Sequence, residues 1–385
     1  MTFDVDALRA REFPWAAAGA AIYLNNASTG PLPTRAVVAA NEYTQLRAEP
    51  FRLTDSLQFG TLAKSRELIS KLIGARTSEV ALATNTTFGI NLAAFALPFK
   101  AGDVVLAPDL EFPSNIYPWM QLAARRGVEF RRITCPDGVL EPELVRRALE
   151  DDRVRALTVS WVGFASGARV DLAALGALCR ERGIYFVVDA IQGLGAATLD
   201  VSKFHVDVLA CGAQKWLLSP WGTGFVYVRD ALVRQLEPHD VSWMAVKGSD
   251  DFSRLLDYDF TWREDARRFE FITLPFQDFA GMNASLELFL EVGPAEAAAR
   301  VATLADTVVR FASECDGVTL VTPRDRAKRA GIVSLRPPGD AVAASARLKA
   351  AGVSHSLREG AIRLSPHFYN TEDEVRRACE VIAVA

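Results

Sequence analysis

An aspartate and a lysine placed at the ends of two predicted strands are the residues of this sequence best suited to chemistry. Residues 183–230 contain three short apolar runs, each bounded by glycine or a polar residue and rich in β-branched or aromatic side chains. Such runs are typical of buried strands. Asp189 ends the first run, and Lys215 follows the second by a few residues. The short return from there into the third run suggests a hairpin, so we expect the third strand to be antiparallel to its neighbour. Because ligands bind beyond the carboxyl ends of parallel strands, we expect both side chains over one pocket.

An acid and an amine over one pocket suit pyridoxal phosphate. The carbonyl group of this cofactor forms a Schiff base with a lysine, and its ring nitrogen needs a carboxylate that keeps it protonated. The protonated ring can then accept electrons from a carbanion at the substrate's α-carbon. Taken alone, however, the pair favours a simpler interpretation, a surface Lys215 near a strand-end Asp189, so the remaining sequence has to decide.

A threonine-rich turn is a candidate phosphate site. The predicted strand Glu79–Ala83 is followed by Thr84, Thr86 and Thr87, and then by a predicted apolar helix. Free N–H groups and the helix dipole favour a dianion at such a helix start, and threonine hydroxyls add donors. Simple N-capping by a threonine is the alternative, and the motif alone favours it.

Composition and charge exclude several classes of function. The chain has 385 residues, of which 50% are hydrophobic and 23% charged, with a formal net charge of −4. This length predicts one large and one smaller domain, and the charge gives no support for binding nucleic acid or an anionic membrane. No apolar run reaches the ~18–20 residues that span a bilayer, and the N-terminus lacks a secretory pattern, so we expect a cytoplasmic protein. Five scattered cysteines and four histidines predict no metal site.

Three segments resemble a known family: VDAIQGLG, GAQKWLLSPWGTGFVYV and IRLSPHFYNTEDEV. They are similar to the class V aminotransferase family of fold-type I pyridoxal-phosphate enzymes, which includes cysteine desulfurases, kynureninase, serine–glyoxylate aminotransferases and isopenicillin N epimerase-like proteins. The resemblance implies an α/β fold, with a large domain built on a mostly parallel seven-stranded sheet flanked by helices and a smaller α+β C-terminal domain. The boundaries it implies are an N-terminal helical segment at 1–22, the large cofactor domain at 23–285 and the small domain at 286–385.

The resemblance also implies site residues. Lys215 and Asp189 match the catalytic positions, as the Schiff-base lysine and the partner of the ring nitrogen. The cofactor-binding positions are Thr86, Thr87, Phe112, Asp189, Gln192, Gln214, Lys215 and Thr273. The substrate-binding positions are Asn26, Ser28, Arg358 and Arg363. Among them, Arg363 matches an arginine that grips the substrate's α-carboxylate, which a planar guanidinium can bind in a bidentate manner.

Thr273 has a further implication. In the family, the matching threonine reaches the cofactor phosphate of the neighbouring subunit, so we expect a homodimer with shared active sites. A buried β-branched strand residue is the alternative for Thr273. For Asn26 and Ser28, the alternative is a turn stabilised by their side chains.

Several departures from the family pattern bear on the reaction. Phe112 stands where desulfurases have a histidine, Phe164 stands where many relatives have an asparagine, and Gly212 offers only a backbone N–H to the phosphate. No cysteine lies between Cys315 and Cys379, where desulfurases carry their nucleophile. We therefore disfavour a desulfurase.

The favoured hypothesis is a pyridoxal-phosphate aminotransferase acting on a small-molecule amino acid. The alternatives are an isopenicillin N epimerase-like epimerase and a kynureninase-like lyase. A nicotinamide-dependent oxidoreductase would need a G-x-G-x-x-G turn after its first strand, and the GLGA at 193–196 is too short. A non-catalytic module of the same fold would be expected to have lost Lys215 or Asp189, and both are present.

Overall fold

The computed structural model describes residues 3–136 and 138–383 of the chain. Its strands are β1 (Ile22–Tyr23), β2 (Val80–Ala83), β3 (Val104–Pro108), β4 (Glu129–Ile133), β5 (Val154–Ser160), β6 (Tyr185–Asp189), β7 (Val208–Gly212), β8 (Gly224–Val228), β9 (Thr319–Leu320), β10 (Val333–Arg336), β11 (Val353–Ser354), β12 (Ser356–Arg358) and β13 (Ala361–Leu364). Its α-helices are α1 (Val5–Glu12), α2 (Pro14–Ala17), α3 (Thr34–Ala48), α4 (Asp55–Ile73), α5 (Thr86–Ala96), α6 (Tyr117–Arg126), α7 (Pro142–Ala148), α8 (Leu172–Arg182), α9 (Asp230–Val233), α10 (Phe276–Val292), α11 (Pro294–Glu314), α12 (Ala341–Ala350) and α13 (Glu372–Ala383). Among the described residues, no helix combines the length and apolar character needed to cross a membrane.

Seven strands form the central sheet in the order β2-β8-β7-β6-β5-β3-β4. Pairings among β7, β6, β5, β3 and β4 are parallel, whereas β8 is antiparallel to both of its neighbours. The mostly parallel sheet and the reversed strand after the lysine are therefore confirmed. The carboxyl ends of the remaining six strands consequently meet at one edge, where ligands bind in this architecture.

Burial on both faces explains the continuous apolar runs of the central strands. Val187, Val208 and Val226 contact one apolar cluster, and their neighbours Val188 and Leu209 contact a second cluster on the opposite face. Successive side chains of a strand point to opposite faces, and helices cover both faces of such a sheet. The central sheet is thus packed on both faces, and this packing positions the residues at its edge.

A smaller C-terminal domain carries an antiparallel sheet in the order β12-β13-β10-β9, which confirms the expected second domain. One face of this sheet is apolar: Leu335 and Ile362 join the cluster formed with helices α11 and α13. Its other face carries Ser334 and Arg363, which are cross-strand partners. Both donate hydrogen bonds to backbone carbonyls of the large domain, namely those of Ala165 and Phe164.

The segment from Val353 to Arg358 is divided between two sheets. Strand β11 pairs in parallel with β1, while β12 pairs with β13. An isolated bridge between Asn25 and Ser365 extends the contact. The start of the chain is therefore hydrogen bonded to the small domain, a non-local pairing that no local pattern signals. The domain boundaries themselves stay a prediction.

A buried histidine joins the small domain to the loop that holds the candidate lysine. The His367 side chain is fully buried, and its Nδ1 accepts a hydrogen bond of 2.8 Å from the N–H of Phe368. Its Nε2 therefore carries the hydrogen and donates it to the carbonyl of Trp216 at 3.0 Å. The ring lies 5.4 Å from that of Trp216 and 5.8 Å from that of Tyr369. Burial lowers the pKa of His367 from 6.5 to about 4.

This histidine predicts a pH dependence of stability. Because its folded pKa is about 4, the unfolded chain binds more protons between pH 6.5 and 4, and the stability due to the neutral ring is lost as pH falls through that window. The full contribution is roughly 3 kcal/mol. Unfolding titrations of the cofactor-free protein should show a smaller loss between pH 7 and 4 for His367→Gln, which keeps a donor for the Trp216 carbonyl, than for the wild type. The control His239→Gln, at an exposed position, should lose as much stability between pH 7 and 4 as the wild type. An equal loss in His367→Gln and the wild type would contradict the interpretation.

Candidate active site

The carboxyl edge of the central sheet brings Asp189 and Lys215 close enough for each charge to shift the pKa of the other, and the pocket expected there stays a prediction. Asp189 ends β6 and is 2% exposed. Its Oδ1 accepts a 2.9 Å hydrogen bond from the N–H of Ile191, which fixes the carboxylate. Burial raises the pKa of Asp189 to about 6, and the positive charge of Lys215 acts in the opposite direction. The carboxylate is suited to hold a partner that carries a proton.

Lys215 lies three residues beyond β7 in a tightly packed turn. The N–H of Gly30 donates to the carbonyl of Gln214 at 2.9 Å. A Cβ atom on Gly30 would lie 2.0 Å from the Lys215 carbonyl, so only glycine allows this approach. Burial lowers the pKa of Lys215 to about 8, although Asp189 opposes the shift. The amine is therefore half neutral near pH 8 rather than above pH 10.

Two aromatic side chains line one side of the pocket. The Phe112 ring is 41% exposed, and its centroid lies 5.7 Å from the Lys215 Nζ. Phe164 packs edge-on against Phe112 at 5.3 Å between centroids. The exposed part of the Phe112 ring is suited to stack on a flat ring, and its role at the cofactor stays a prediction. Phe164 replaces the expected asparagine with an apolar contact.

The threonine turn lies at the start of α5, but a threonine does not cap the helix. Asn85 is the N-cap residue, and its side chain accepts from the N–H of Phe88 at 2.9 Å. This capping frees the hydroxyls of Thr86 and Thr87 for other partners. The Thr87 hydroxyl donates to Ser114 at 2.9 Å.

The expected phosphate donor at Gly212 is already engaged. Its N–H donates to the Thr86 Oγ1 at 2.9 Å, which leaves the Thr86 O–H available to an anion. The Oε1 atom of Gln214 is buried without a hydrogen-bond partner. This oxygen can only accept a hydrogen bond, so the role of Gln214 at the cofactor stays a prediction.

Arg363 is the most unusual charge of the site. It is 2% exposed, and it donates to the carbonyl of Phe164 at 2.7 Å and to the Ser28 hydroxyl at 2.8 Å. Its Nε is buried without a partner, and within the described residues no carboxylate pairs with it. Burial, with a smaller effect of Arg358, lowers the pKa of Arg363 to about 10, so the guanidinium stays charged at neutral pH. The Nε edge is suited to a carboxylate from a ligand.

The N-terminal loop contributes to the same corner. Ser28 contacts both Arg363 and Ser356, whose hydroxyl lies 3.0 Å from that of Ser28. Asn26 is fully buried, donating to the Ser365 carbonyl at 2.8 Å and accepting from Tyr369 at 3.1 Å. Ser28 thus faces the candidate carboxylate site, whereas the Asn26 amide is used to hold the loop.

Three further predicted positions differ in their surroundings. The Gln192 amide donates to the Ala27 carbonyl at 3.0 Å and accepts from the Trp216 indole at 2.9 Å, so it lies in the turn beside Asp189. Arg358 is exposed on the tip of the β12–β13 hairpin. Thr273 is exposed on the segment that precedes α10. The roles of these residues stay predictions.

Two site residues were not singled out from the sequence. Glu111, which follows β3, accepts from the backbone N–H of Ser160 at 2.5 Å and also from its hydroxyl. Burial raises the pKa of Glu111 to about 7, and the nearby charge of Asp189 adds to the rise. Ser356 lies opposite Arg363 in the sheet. The strand-end rule used for Asp189 would have found Glu111, and strand alternation would have placed Ser356 beside Arg363.

Together these residues fit pyridoxal phosphate. A helix start with a threonine hydroxyl suits the phosphate. A buried carboxylate at Asp189 suits a protonated ring nitrogen, the open side of Phe112 suits the ring face, and the low pKa of Lys215 suits an amine that attacks a carbonyl.

Comparison with known proteins shows the family to which the chain belongs. The family described as aminotransferase class-V matches residues 22–378. Isopenicillin N epimerase of Streptomyces clavuligerus is 30% identical over 374 residues, which cover 94% of this chain and 94% of that protein. A probable cysteine desulfurase of Methanothermobacter thermautotrophicus is 29% identical over 389 residues, again with 94% of each chain covered.

Solved structures share the fold over nearly the whole chain. An apo cysteine desulfurase from Thermococcus onnurineus NA1 superposes with a TM-score of 0.88 at 25% identity, covering 98% of this chain and 97% of that one. A C-DES mutant with glycine covalently linked to its pyridoxal phosphate also has a TM-score of 0.88, at 22% identity, with 98% and 99% covered. From its match, its fold and its site, this chain belongs to the class V aminotransferase family of pyridoxal-phosphate-dependent enzymes.

Proposed function

We propose that the protein is an aminotransferase that acts on the α-amino group of a small-molecule amino acid. The single observation that supports this most is Arg363, a charged and buried guanidinium whose Nε has no partner and which no carboxylate neutralises among the described residues. A substrate α-carboxylate would supply the missing charge and acceptors. The Lys215 amine would then be close to the substrate's α-carbon.

Each residue of the candidate site has a separate role in the proposed reaction. When bound, pyridoxal phosphate supplies an electron-accepting ring that stabilises negative charge at the α-carbon. Asp189 holds the proton of the ring nitrogen, and Phe112 fixes the plane of the ring. Lys215 takes the proton from the α-carbon and returns it elsewhere, since an amine with a pKa of about 8 can act in both directions near neutral pH. Arg363 orients the α-carbon by holding the carboxylate.

An epimerase is the second candidate, favoured by the 30% identity to isopenicillin N epimerase over nearly the whole chain. Epimerisation and transamination share proton removal by Lys215 and differ in the atom that receives the proton afterwards. In an epimerase, a group on the opposite face of the substrate must protonate the α-carbon. A product assay that separates inversion at the α-carbon from amino transfer distinguishes the two.

A desulfurase is disfavoured in this proposal because no cysteine stands ready as a nucleophile. Cys211 follows Ala210 on β7 and is 1% exposed, and burial raises its pKa well above that of a free thiol. Cys379 is buried on α13 with a pKa raised to about 12. A reactive cysteine needs the thiolate and access to substrate.

The proposal includes a homodimer and a cytoplasmic location. Exposed Thr273 supports the first, since a residue that serves a neighbouring subunit has to lie on the surface of its own. Five free cysteines, which cytosolic thiol chemistry keeps reduced, support the second. Sedimentation of the purified protein measures the oligomeric state. Thr273→Ala should weaken cofactor binding, while the covalent attachment of the cofactor to Lys215 remains.

Lys215 is predicted to be the residue that binds the cofactor covalently. Borohydride reduction of the loaded protein, followed by peptide mass mapping, should place the adduct on Lys215, and Lys215→Ala should fold but not turn over. In the cofactor-free protein, Lys215 should react with an aldehyde with a midpoint near pH 8, because burial lowers its pKa from 10.5. Lys203→Ala, at an exposed position, is the control. An adduct on another lysine would refute the assignment.

Replacing Asp189 tests the ring-nitrogen contact. Asp189→Asn keeps an oxygen for the Ile191 N–H but has no charge to keep the ring nitrogen protonated. Steady-state kinetics should show turnover reduced by about a thousandfold or more, equivalent to ~4 kcal/mol at 1.36 kcal/mol per tenfold, while a cofactor titration shows retained binding. Turnover close to that of the wild type would mean that Asp189 does not contact the ring nitrogen.

Replacing Arg363 tests how the substrate is bound. Losing a charge-assisted hydrogen bond costs about 1.5–3 kcal/mol, so Arg363→Ala should raise the apparent substrate constant at least about tenfold while cofactor affinity barely changes. Arg363→Lys should recover only part of the loss, because an ammonium lacks the planar fork. Unchanged kinetics in Arg363→Ala would mean that the carboxylate binds elsewhere.

An assay with L-cysteine tests the type of reaction. Sulfide release should stay at background, and rapid release would overturn the view that the protein is not a desulfurase.

A further inference from the structure

The polar face of the small sheet carries more positive charge than one α-carboxylate requires. Ser356 lies opposite Arg363, and Arg358 lies opposite Ala361, across the β12–β13 pair. Because residues two apart on a strand share a face, Arg358, Ser356 and Arg363 project from the same side of the sheet. That side is the one from which Arg363 reaches Ser28 and the large domain.

Arg358 is a free cation at this face. It is exposed, and its guanidinium donates a 3.0 Å hydrogen bond from Nη1 to the neighbouring Leu357 carbonyl. Within residues 3–136 and 138–383, no acidic side chain forms an ion pair with it. Its charge lowers the pKa of both Arg363 and Lys215, so it lies within electrostatic range of the pocket.

The other charged residues of the site have proposed partners that do not involve Arg358. Asp189 is occupied by the ring nitrogen in the proposed function, and Arg363 by the α-carboxylate. On the other side of Lys215, the wall is formed by the apolar rings of Phe112 and Phe164. A substrate side chain that leaves the α-carbon toward the hairpin would therefore meet a cation, not an apolar wall.

We propose that Arg358 binds a second anionic group, so that the preferred substrates are amino acids with an acidic side chain. Diagonal neighbours on one face of an antiparallel pair lie about 7–8 Å apart. Two flexible guanidinium groups starting from such positions can converge on the two carboxylates of a four- or five-carbon dicarboxylic amino acid. The inference rests on the proposed function, in which Arg363 holds the α-carboxylate.

Binding to the cofactor-free protein tests the inference without turnover. Succinate and butyrate have the same chain length and differ by one carboxylate, so calorimetric titration of both measures the contribution of the second anion. Succinate should bind roughly ten- to a hundredfold more tightly, as expected for one charge-assisted contact. Arg358→Ala should weaken succinate binding far more than butyrate binding, so that the two affinities become similar, and Arg358→Lys should retain part of the difference. Equal affinity for the two acids in the wild type would overturn the proposal.

Kinetics of the loaded enzyme supply the second test. The ratio of kcat/KM for aspartate over asparagine, and for glutamate over glutamine, should exceed about ten and fall toward one in Arg358→Ala. Arg336→Ala is the matched control, because Arg336 is an exposed arginine of the same sheet that lies on β10, two strands from β12. A similar fall of the ratio in Arg336→Ala would mean that the total positive charge of the sheet causes the preference, and it would refute a direct contact by Arg358. A spectrum that no amino acid perturbs would refute the proposed function itself, whereas a response to neutral amino acids alone would refute only this inference.

Discussion

The buried guanidinium of Arg363, with which no carboxylate pairs among residues 3–136 and 138–383, is the constraint on which the candidate site depends. An isolated ion taken out of water costs several kcal/mol even after relaxation, and a guanidinium remains charged where a lysine would lose its proton. Arg363 is held by the neutral oxygens of Phe164 and Ser28, which come from two distant parts of the chain. These contacts only partly offset the cost of burial, which is why Arg363 is proposed to bind the carboxylate of a substrate.

Those elements meet at the turn around Lys215. The Gly30 loop presses on the lysine backbone from one side, and the His367 ring binds the next carbonyl from the other. Trp216 links the same turn to Gln192, beside Asp189. The amine and the carboxylate are thereby positioned by neutral hydrogen bonds and aromatic packing, not by pairing with each other. This separation lets burial move the two pKa values toward neutrality in opposite directions, upward for Asp189 and downward for Lys215.

Local sequence patterns predicted the parts of this arrangement that follow from periodicity. The apolar runs around Asp189 gave the correct strands, and the short return after Lys215 gave the reversed strand β8. Parallel topology then placed the two residues together without further information. What the patterns missed depends on contacts between distant segments. The pairing of β1 with β11, the capping of α5 by Asn85 and the hydrogen bonds of Glu111 to Ser160 are each decided by a partner far along the chain or by a choice between adjacent polar residues.

The pairing of β1 with β11 limits the order in which parts of the molecule can form during synthesis. Because Ile22 pairs with Val353, β1 lacks this partner until the chain has been made to that residue. Arg363 and His367 follow on the same late segment, so the hydrogen bonds from Arg363 to Phe164 and from His367 to Trp216 can form only after that point. These contacts of the candidate site are therefore completed after every strand of the central sheet has been synthesised.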